Sequence, residues 1–174
     1  MLKNIAASVK MTKLGGELMT QNIYYIYDSI FGRVTIESDG NAITQLQTEQ
    51  YIEPEGRKCA DKLTDKAAKQ LEEYFTGKRT RFDIPLDPQG TEFRCLVWKT
   101  LGEIPYGETR SYKQIAQAIK NPNACRAVGM ANNKNPIWIM IPCHRVIGSD
   151  GTLTGYGGGL EMKQKLLELE KGTK

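Results

Sequence analysis

Alternating apolar and polar side chains mark the first regular stretch of the chain. Tyr24-Tyr25-Ile26-Tyr27, Gly32-Arg33-Val34-Thr35-Ile36-Glu37 and Ala42-Ile43-Thr44-Gln45-Leu46 read as three short β-strands. Asp39-Gly40-Asn41 predicts a hairpin turn between the second and third, because Gly and Asn tolerate positive φ. The period then lengthens: Leu63, Ala67, Ala68, Leu71, Tyr74 and Phe75 recur at helical spacing, and Gly77 stands where a C-terminal cap glycine would. Residues 21–90 read as a small α/β unit, with the proline-bearing stretch 83–90 as a linker. Beyond it Phe93, Leu96, Val97, Leu101 and Ile104 predict a helix closed by Pro105-Tyr106-Gly107. Ser111 opens another, with Gln114 completing a capping box; its core face is Tyr112, Ile115, Ala116 and Ile119, and Asn121-Pro122-Asn123 stops it. A third short helix turns Ala124, Ala127, Val128 and Ala131 inward and Arg126, Met130 and Asn133 outward. The unbroken apolar run 137–141 reads as a strand leading to Pro142 and Cys143.

Composition narrows the class. With 174 residues, 40% hydrophobic and 25% charged, the chain has the make-up of an ordinary globular protein. No run approaches the roughly 18 consecutive apolar residues of a membrane span. Residues 1–20 are basic and lack a long apolar stretch before a small-residue cleavage site, which argues against a secretory signal; they read as a weakly ordered tail, with Met1, Met11 and Met19 all possible starts. The cysteines at 59, 95, 125 and 143 form no CxxC pair and read as free thiols in a reducing, cytoplasmic setting. One histidine, His144, and no paired cysteines argue against a zinc site.

Charge is distributed unevenly. Residues 1–90 carry a net −1 and residues 91–174 a net +5, and the 41 residues between Glu108 and Asp150 contain no acid. That window holds Arg110, Lys113, Lys120, Arg126, Lys134 and Arg145, as a phosphate-facing surface requires. A solvated face with chance depletion of acids fits the charge count equally. Two short helices joined by a tight turn have the layout of a helix-turn-helix, although a plain helical hairpin has it too. The coincidence of the two features favours DNA, with Arg126 on the second helix at the duplex.

Cys143 stands beside the only imidazole of the chain. A free thiol with a pKa of ~8.5 is only slightly ionised at neutral pH, and an imidazole can take its proton directly or through a water. Arg145 is expected to add positive charge favouring the anion. Adjacent residues of an extended strand point opposite ways, so a direct Cys143–His144 contact needs a twist or a bridging water. On the dipeptide alone, a buried structural cysteine next to an incidental histidine is the commoner case. Downstream, Gly151, Gly155, Gly157, Gly158 and Gly159 surround Tyr156, a backbone that can approach a flat ligand closely or can simply flex. No phosphate-binding GxxxxGK[ST] pattern is present.

From Phe93 to Glu170 the chain closely resembles the O6-alkylguanine-DNA alkyltransferases, also called methylated-DNA–protein-cysteine methyltransferases. The resemblance is carried by Val97-Trp98, Ile104-Pro105-Tyr106-Gly107-Glu108-Thr109, Ser111-Tyr112, Arg126-Ala127-Val128-Gly129, Asn135-Pro136, Ile141-Pro142-Cys143-His144-Arg145-Val146-Ile147, and Gly155-Tyr156 with Gly158-Gly159-Leu160. Residues 23–90 match only in outline. The resemblance implies an α+β fold: a small N-terminal α/β domain over 21–90, and a mainly helical domain over 91–174 containing the helix-turn-helix and the reactive cysteine.

It also implies irreversible, single-turnover transfer of the alkyl group from guanine O6 in DNA to Cys143, without a cofactor or a metal. His144 would act through a water as the base, oriented by Glu170. Asn135 would bridge backbone turns and hold the site against the helix-turn-helix. Tyr112 would donate to guanine N3 as the leaving guanine forms. Tyr112, Val146, Tyr156, Gly157 and Gly158 would line the base pocket; Ser111, Arg126, Ala127, Gly129, Met130 and Arg145 would contact DNA. The target nucleotide would rotate out of the stack, Arg126 filling its place, with the second helix in the minor groove. The implied partner is double-stranded DNA carrying O6-alkylguanine, engaged by a monomer with no membrane association. Two departures stand out: the N-terminal histidines of zinc-bearing relatives are lacking, and Gly157 replaces a serine that some relatives carry. The non-catalytic alkyltransferase-like proteins put tryptophan where this chain has Cys143. Two rivals remain: a DNA-binding regulator with a sensor cysteine, and a Cys-His hydrolase, for whose acyl substrate no sequence feature speaks.

Overall fold

The computed structural model describes residues 22–48 and 56–172; the predicted tail over 1–20 lies outside the described residues. Strands β1 (Ile23–Ser29), β2 (Gly32–Ser38) and β3 (Ile43–Thr48) form an antiparallel meander, and β4 (Arg57–Lys58) pairs parallel to β1, giving the order β3-β2-β1-β4. The predicted hairpin turn is present: Asp39 Oδ1 accepts from the N–H groups of Asn41 and Ala42, and Gly40 sits at φ +90°. Alternation buries Val34, Ile36 and Leu46 on one sheet face, where α1 (Lys62–Phe75) lays Ala67, Leu71, Tyr74 and Phe75. Asp61 caps α1 in a reciprocal box with Thr64, and Gly77, at φ +71°, ends it with its N–H on the Tyr74 carbonyl.

The stretch predicted as a linker is stitched to the sheet. Ile43 N–H donates to Pro85 O at 2.9 Å, Asp87 N–H donates to Ile43 O at 2.9 Å, and Ile84 is buried. Further along the same edge, Leu46 N–H donates to Pro136 O at 2.9 Å and Trp138 N–H to Leu46 O at 3.0 Å. An edge strand has unpaired backbone groups that need partners, and β3 takes them from both segments.

Helix α2 (Glu92–Gly102), capped by Thr91, buries Val97, Trp98 and Leu101. Leu96, predicted on the core face, is instead exposed, because the buried stripe runs through 97, 98 and 101. Two-residue strands β5 (Arg110–Ser111) and β6 (Val146–Ile147) pair in parallel. The predicted capping box opens α3 (Tyr112–Ala118): Gln114 N–H donates to Ser111 Oγ and Ser111 N–H to Gln114 Oε1. α3 closes at Lys120, whose φ of +58° makes it the left-handed cap, just before the predicted Asn-Pro-Asn stop. α4 (Cys125–Asn133) packs on α2 and α3, the Trp98 indole donating to Ala131 O at 2.8 Å, and α5 (Leu160–Gly172) closes the fold.

The strand expected over 137–141 does not form. The segment folds into a tight turn, with Met140 N–H on Trp138 O at 2.7 Å, Ile141 N–H on Ile137 O at 3.0 Å, and Ile139 at φ +69°. All five side chains are buried, so hydrophobicity marks burial here without specifying a strand. A β-branched residue at positive φ is strained and persists only where its surroundings hold it.

Candidate functional site

Cys143 begins a single 3₁₀ turn, Cys143–Arg145, so the opposite pointing of neighbours on a strand no longer applies. Asn135 holds the approach to it. Its Nδ2 donates to Ile141 O at 2.8 Å and reaches Cys143 Sγ at 3.0 Å, while its Oδ1 accepts from Ile137 N–H at 3.0 Å. Asn132, near the end of α4, donates to the Cys143 carbonyl at 3.4 Å and ties the turn to the helix pair. The thiol is 2% exposed. Burial pushes its pKa up to about 11, against the Asn135 hydrogen bond and the nearby Lys163 charge, which favour the thiolate. The resting site therefore holds a neutral thiol whose ionisation needs a base.

His144 is fully buried, with Nε2 2.8 Å from Glu170 Oε1. Glu170 is a hub. Oε1 also accepts from Tyr74 Oη at 2.6 Å and Arg145 Nη2 at 2.9 Å; Oε2 accepts from Gly107 N–H at 2.9 Å and Arg145 Nε at 3.0 Å. Burial opposes the Glu170 charge, but the hydrogen bonds from His144 and Arg145 outweigh it and hold the carboxyl at about 2. Burial lowers the His144 pKa, the Glu170 contact opposing it. An ionised carboxylate can only accept, so Nε2 carries the imidazole proton and Nδ1 is left as an acceptor. Nδ1 is buried and has no hydrogen-bond partner among the described residues.

Arg145 corrects two expectations. Its guanidinium is buried against Glu170, donates to Ile104 O at 2.6 Å and lies over the Tyr106 ring. The side chain is turned inward instead of lying on the cationic surface, and its charge is matched by the carboxylate instead of being offered to the thiolate.

The expected base pocket is represented by Val146 in β6 and by the loop 154–159. Lys163, buried on α5, joins them by donating to the carbonyls of Val146 and Thr154, and burial lowers its pKa to about 8. Tyr156 is buried beside the Trp138 indole, ring centroids 5.7 Å apart, its hydroxyl without a partner among the described residues. Gly157 and Gly158 cover Trp138; a Cβ at Gly157 would stand 2.6 Å from Trp138 Cζ2. Tyr112 Oη donates to Thr154 O at 3.4 Å, linking α3 to the same loop.

On the helix pair, Arg126, Met130 and Asn133 are exposed, Met130 at 67%. Ala127 and Gly129 are half-buried, Gly129 beside the Tyr112 ring, and Ser111 is committed to its cap. Of the six cations in the acid-free window, Lys113, Lys120, Arg126 and Lys134 face solvent, whereas Arg110 pairs with Glu108 at 2.8 Å and Arg145 is buried. Sequence reasoning missed Tyr74, Asn132, Lys163 and the wall role of Trp138. A lysine at the fourth position of an amphipathic helix whose neighbours at 166 and 167 are apolar was the one readable hint.

Comparison with known proteins identifies the family. Residues 92–172 match the family described as 6-O-methylguanine DNA methyltransferase, DNA binding domain, and residues 22–88 match its ribonuclease-like domain. A methylated-DNA–protein-cysteine methyltransferase of Methanosarcina barkeri is 63% identical over 110 residues, covering 63% of this chain and 70% of that one. A protein of the same name from Mycobacterium bovis is 50% identical over 151 residues, covering 85% and 92%. A crystal structure of Mycobacterium tuberculosis OGT in complex with DNA superposes with a TM-score of 0.83 at 48% identity, covering 87% and 94%.

Proposed function

The chain belongs to the 6-O-methylguanine DNA methyltransferase family, and from that premise we propose that it repairs duplex DNA by moving the alkyl group of O6-alkylguanine onto Cys143. The supporting observation is the ordered array Cys143, His144, Glu170, in which a buried thiol sits one residue from a neutral imidazole held in a single tautomer. His144 Nδ1 takes the thiol proton through a bridging water. The thiolate attacks the alkyl carbon, an S–C bond forms, and the C–O bond breaks with its electron pair passing to the guanine. The proton ends on the guanine, so thiol plus O6-alkylguanine becomes thioether plus guanine, with no cofactor consumed. Nothing regenerates the thiol, and each molecule acts once.

Tyr112 donates to guanine N3 as negative charge develops there. With the thiol 2% exposed, the base enters past the loop 154–159, whose backbone it meets together with Val146, Tyr156, Gly157 and Gly158. The nucleotide rotates out of the stack to get there, Arg126 takes its place, and α4 lies in the minor groove with Met130, Ala127, Gly129 and the cap at Ser111 against the backbone. In this reading residues 91–174 carry the chemistry and the DNA face, residues 21–90 support them, and the protein works as a cytoplasmic monomer. Among the described residues no helix is long and apolar enough to cross a membrane.

Intact-protein mass spectrometry after incubation with a duplex containing O6-methylguanine tests the reading. The expected result is one methyl per chain, mapped to Cys143 and absent in Cys143→Ala. An unchanged mass would favour a DNA-binding regulator; repeated turnover of a thioester would favour a hydrolase.

A further inference from the structure

Tyr74 lies 69 residues before the thiol, on a helix assigned no part in the chemistry, yet its hydroxyl touches the reactive array. Oη donates to Glu170 Oε1 at 2.6 Å and stands 3.4 Å from His144 Nε2, all three groups being buried. We infer that Tyr74 is a positioning residue, whose hydroxyl fixes the Glu170 carboxylate and, through it, the His144 tautomer that receives the Cys143 proton. The inference rests on the alkyl-transfer reading and deepens it.

The geometry favours this over simple satisfaction of a buried carboxylate. Arg145 and Gly107 already neutralise and orient Glu170 from the side of Oε2 and the Oε1–Oε2 edge. The tyrosine adds a donor to the same oxygen that accepts from the imidazole. Tyr74 shares Oε1 with the imidazole and with Arg145 Nη2, and each added donor draws on its charge, so less of it is available to stabilise a doubly protonated His144. Removing the hydroxyl concentrates that charge on Nε2–H and raises the affinity of His144 for a second proton, which disables it as a base. Burial and the Glu170 charge raise the Tyr74 pKa, so the hydroxyl remains a donor throughout the working range. The ring is located independently by Phe75, Phe82 and Tyr106, at centroid distances of 5.7, 5.4 and 5.9 Å, so Tyr74→Phe preserves the packing. The titratable groups that face the His144–Glu170 pair are Tyr74 on α1, Tyr106 in the loop after α2, Cys143 and Arg145 in the 3₁₀ turn, and Lys163 on α5. Only Tyr74 is altered in the test.

His144 is the only histidine in the sequence, so ¹⁵N-histidine labelling gives one imidazole whose tautomer and titration are read directly. Single-turnover methyl transfer from an O6-methylguanine duplex is measured against pH for the full-length wild type and Tyr74→Phe, with thermal melting as the control for folding. The expected result is a wild-type imidazole protonated at Nε2 and, in Tyr74→Phe, a higher imidazole pKa. The acid limb of the rate profile shifts up with it, and transfer slows by about tenfold near neutral pH, which is ~1.4 kcal/mol in the barrier. Superposable profiles, or a slower rate with the acid limb and imidazole titration unmoved, overturn the inference. Should Tyr74→Phe not fold, a wild-type imidazole protonated at Nδ1 overturns it without any variant. Failure of wild-type Cys143 to acquire the methyl group refutes the parent reading instead.

Discussion

At the scale of single residues, this site is governed by burial offset by matched partners. Glu170 shows it with a sign that can be tested. Its folded pKa of about 2 lies below the ~4.3 of an unfolded glutamate, so the stability it contributes is complete above pH ~4.3 and is lost as the pH falls through about 2. The shift corresponds to roughly 3 kcal/mol. Urea unfolding of the wild type should therefore weaken steeply between pH 4.5 and 2, and Glu170→Gln should flatten that slope; an unchanged slope would assign the acid sensitivity elsewhere. Gly157 illustrates the steric counterpart. Where a serine stands in some relatives, this chain has Trp138 in the space a side chain would need. Gly157→Ser should destabilise the protein by about 1–3 kcal/mol, as overpacking does. Trp138→Phe should relieve part of that loss, so a double-mutant cycle showing strict additivity would break the assignment.

At the scale of elements, legibility followed the range of the interaction. The Ser111–Gln114 box, the Asp39-Gly40-Asn41 turn and the Gly77 cap are local devices, decided within a few residues, and each formed where the sequence placed it. The run 137–141 was misread because its conformation is imposed from outside. Asn135 and the edge of β3 bend it, and Ile139 adopts a backbone angle that its own side chain disfavours. Arg145 was misassigned for a related reason: its carboxylate lies 25 residues further on, and a cation in a basic window gives no sign of turning inward. The Cys143-His144 pairing was raised by the dipeptide but left open there, and family resemblance decided it and supplied the role of Glu170; nothing in the local pattern ties residue 170 to residue 144. The helix pair makes its own prediction. Arg126 and Met130 are one turn apart on the exposed face of α4. Arg126→Ala should slow repair of duplex DNA by roughly tenfold or more, the scale of an unstacking penalty, while leaving reaction with free O6-benzylguanine little changed. Equal losses on both substrates would remove the extrusion role.

At the scale of the whole molecule, the modest net charge of +4 conceals a directional field. Four solvent-facing cations lie in or beside the helix pair, and the acids are concentrated elsewhere. If those four neutralise phosphates, the logarithm of DNA affinity should fall with that of salt concentration at a slope of about −3 to −4. Titration over a range of potassium chloride concentrations checks this, and a slope near zero would exclude the face as the docking surface.

The stitching of β3 bears on how such a protein could be divided. Cutting the chain after residue 90 would strip Pro136 and Trp138 from Leu46 and leave bare carbonyl and amide groups on a hydrophobic ribbon. The amino-terminal fragment made alone would then offer a template for neighbouring copies, and the carboxy-terminal fragment would lose the brace behind its strained turn. Production of the two pieces as separate genes is thus discouraged by backbone valence alone, whatever the fate of the chemistry.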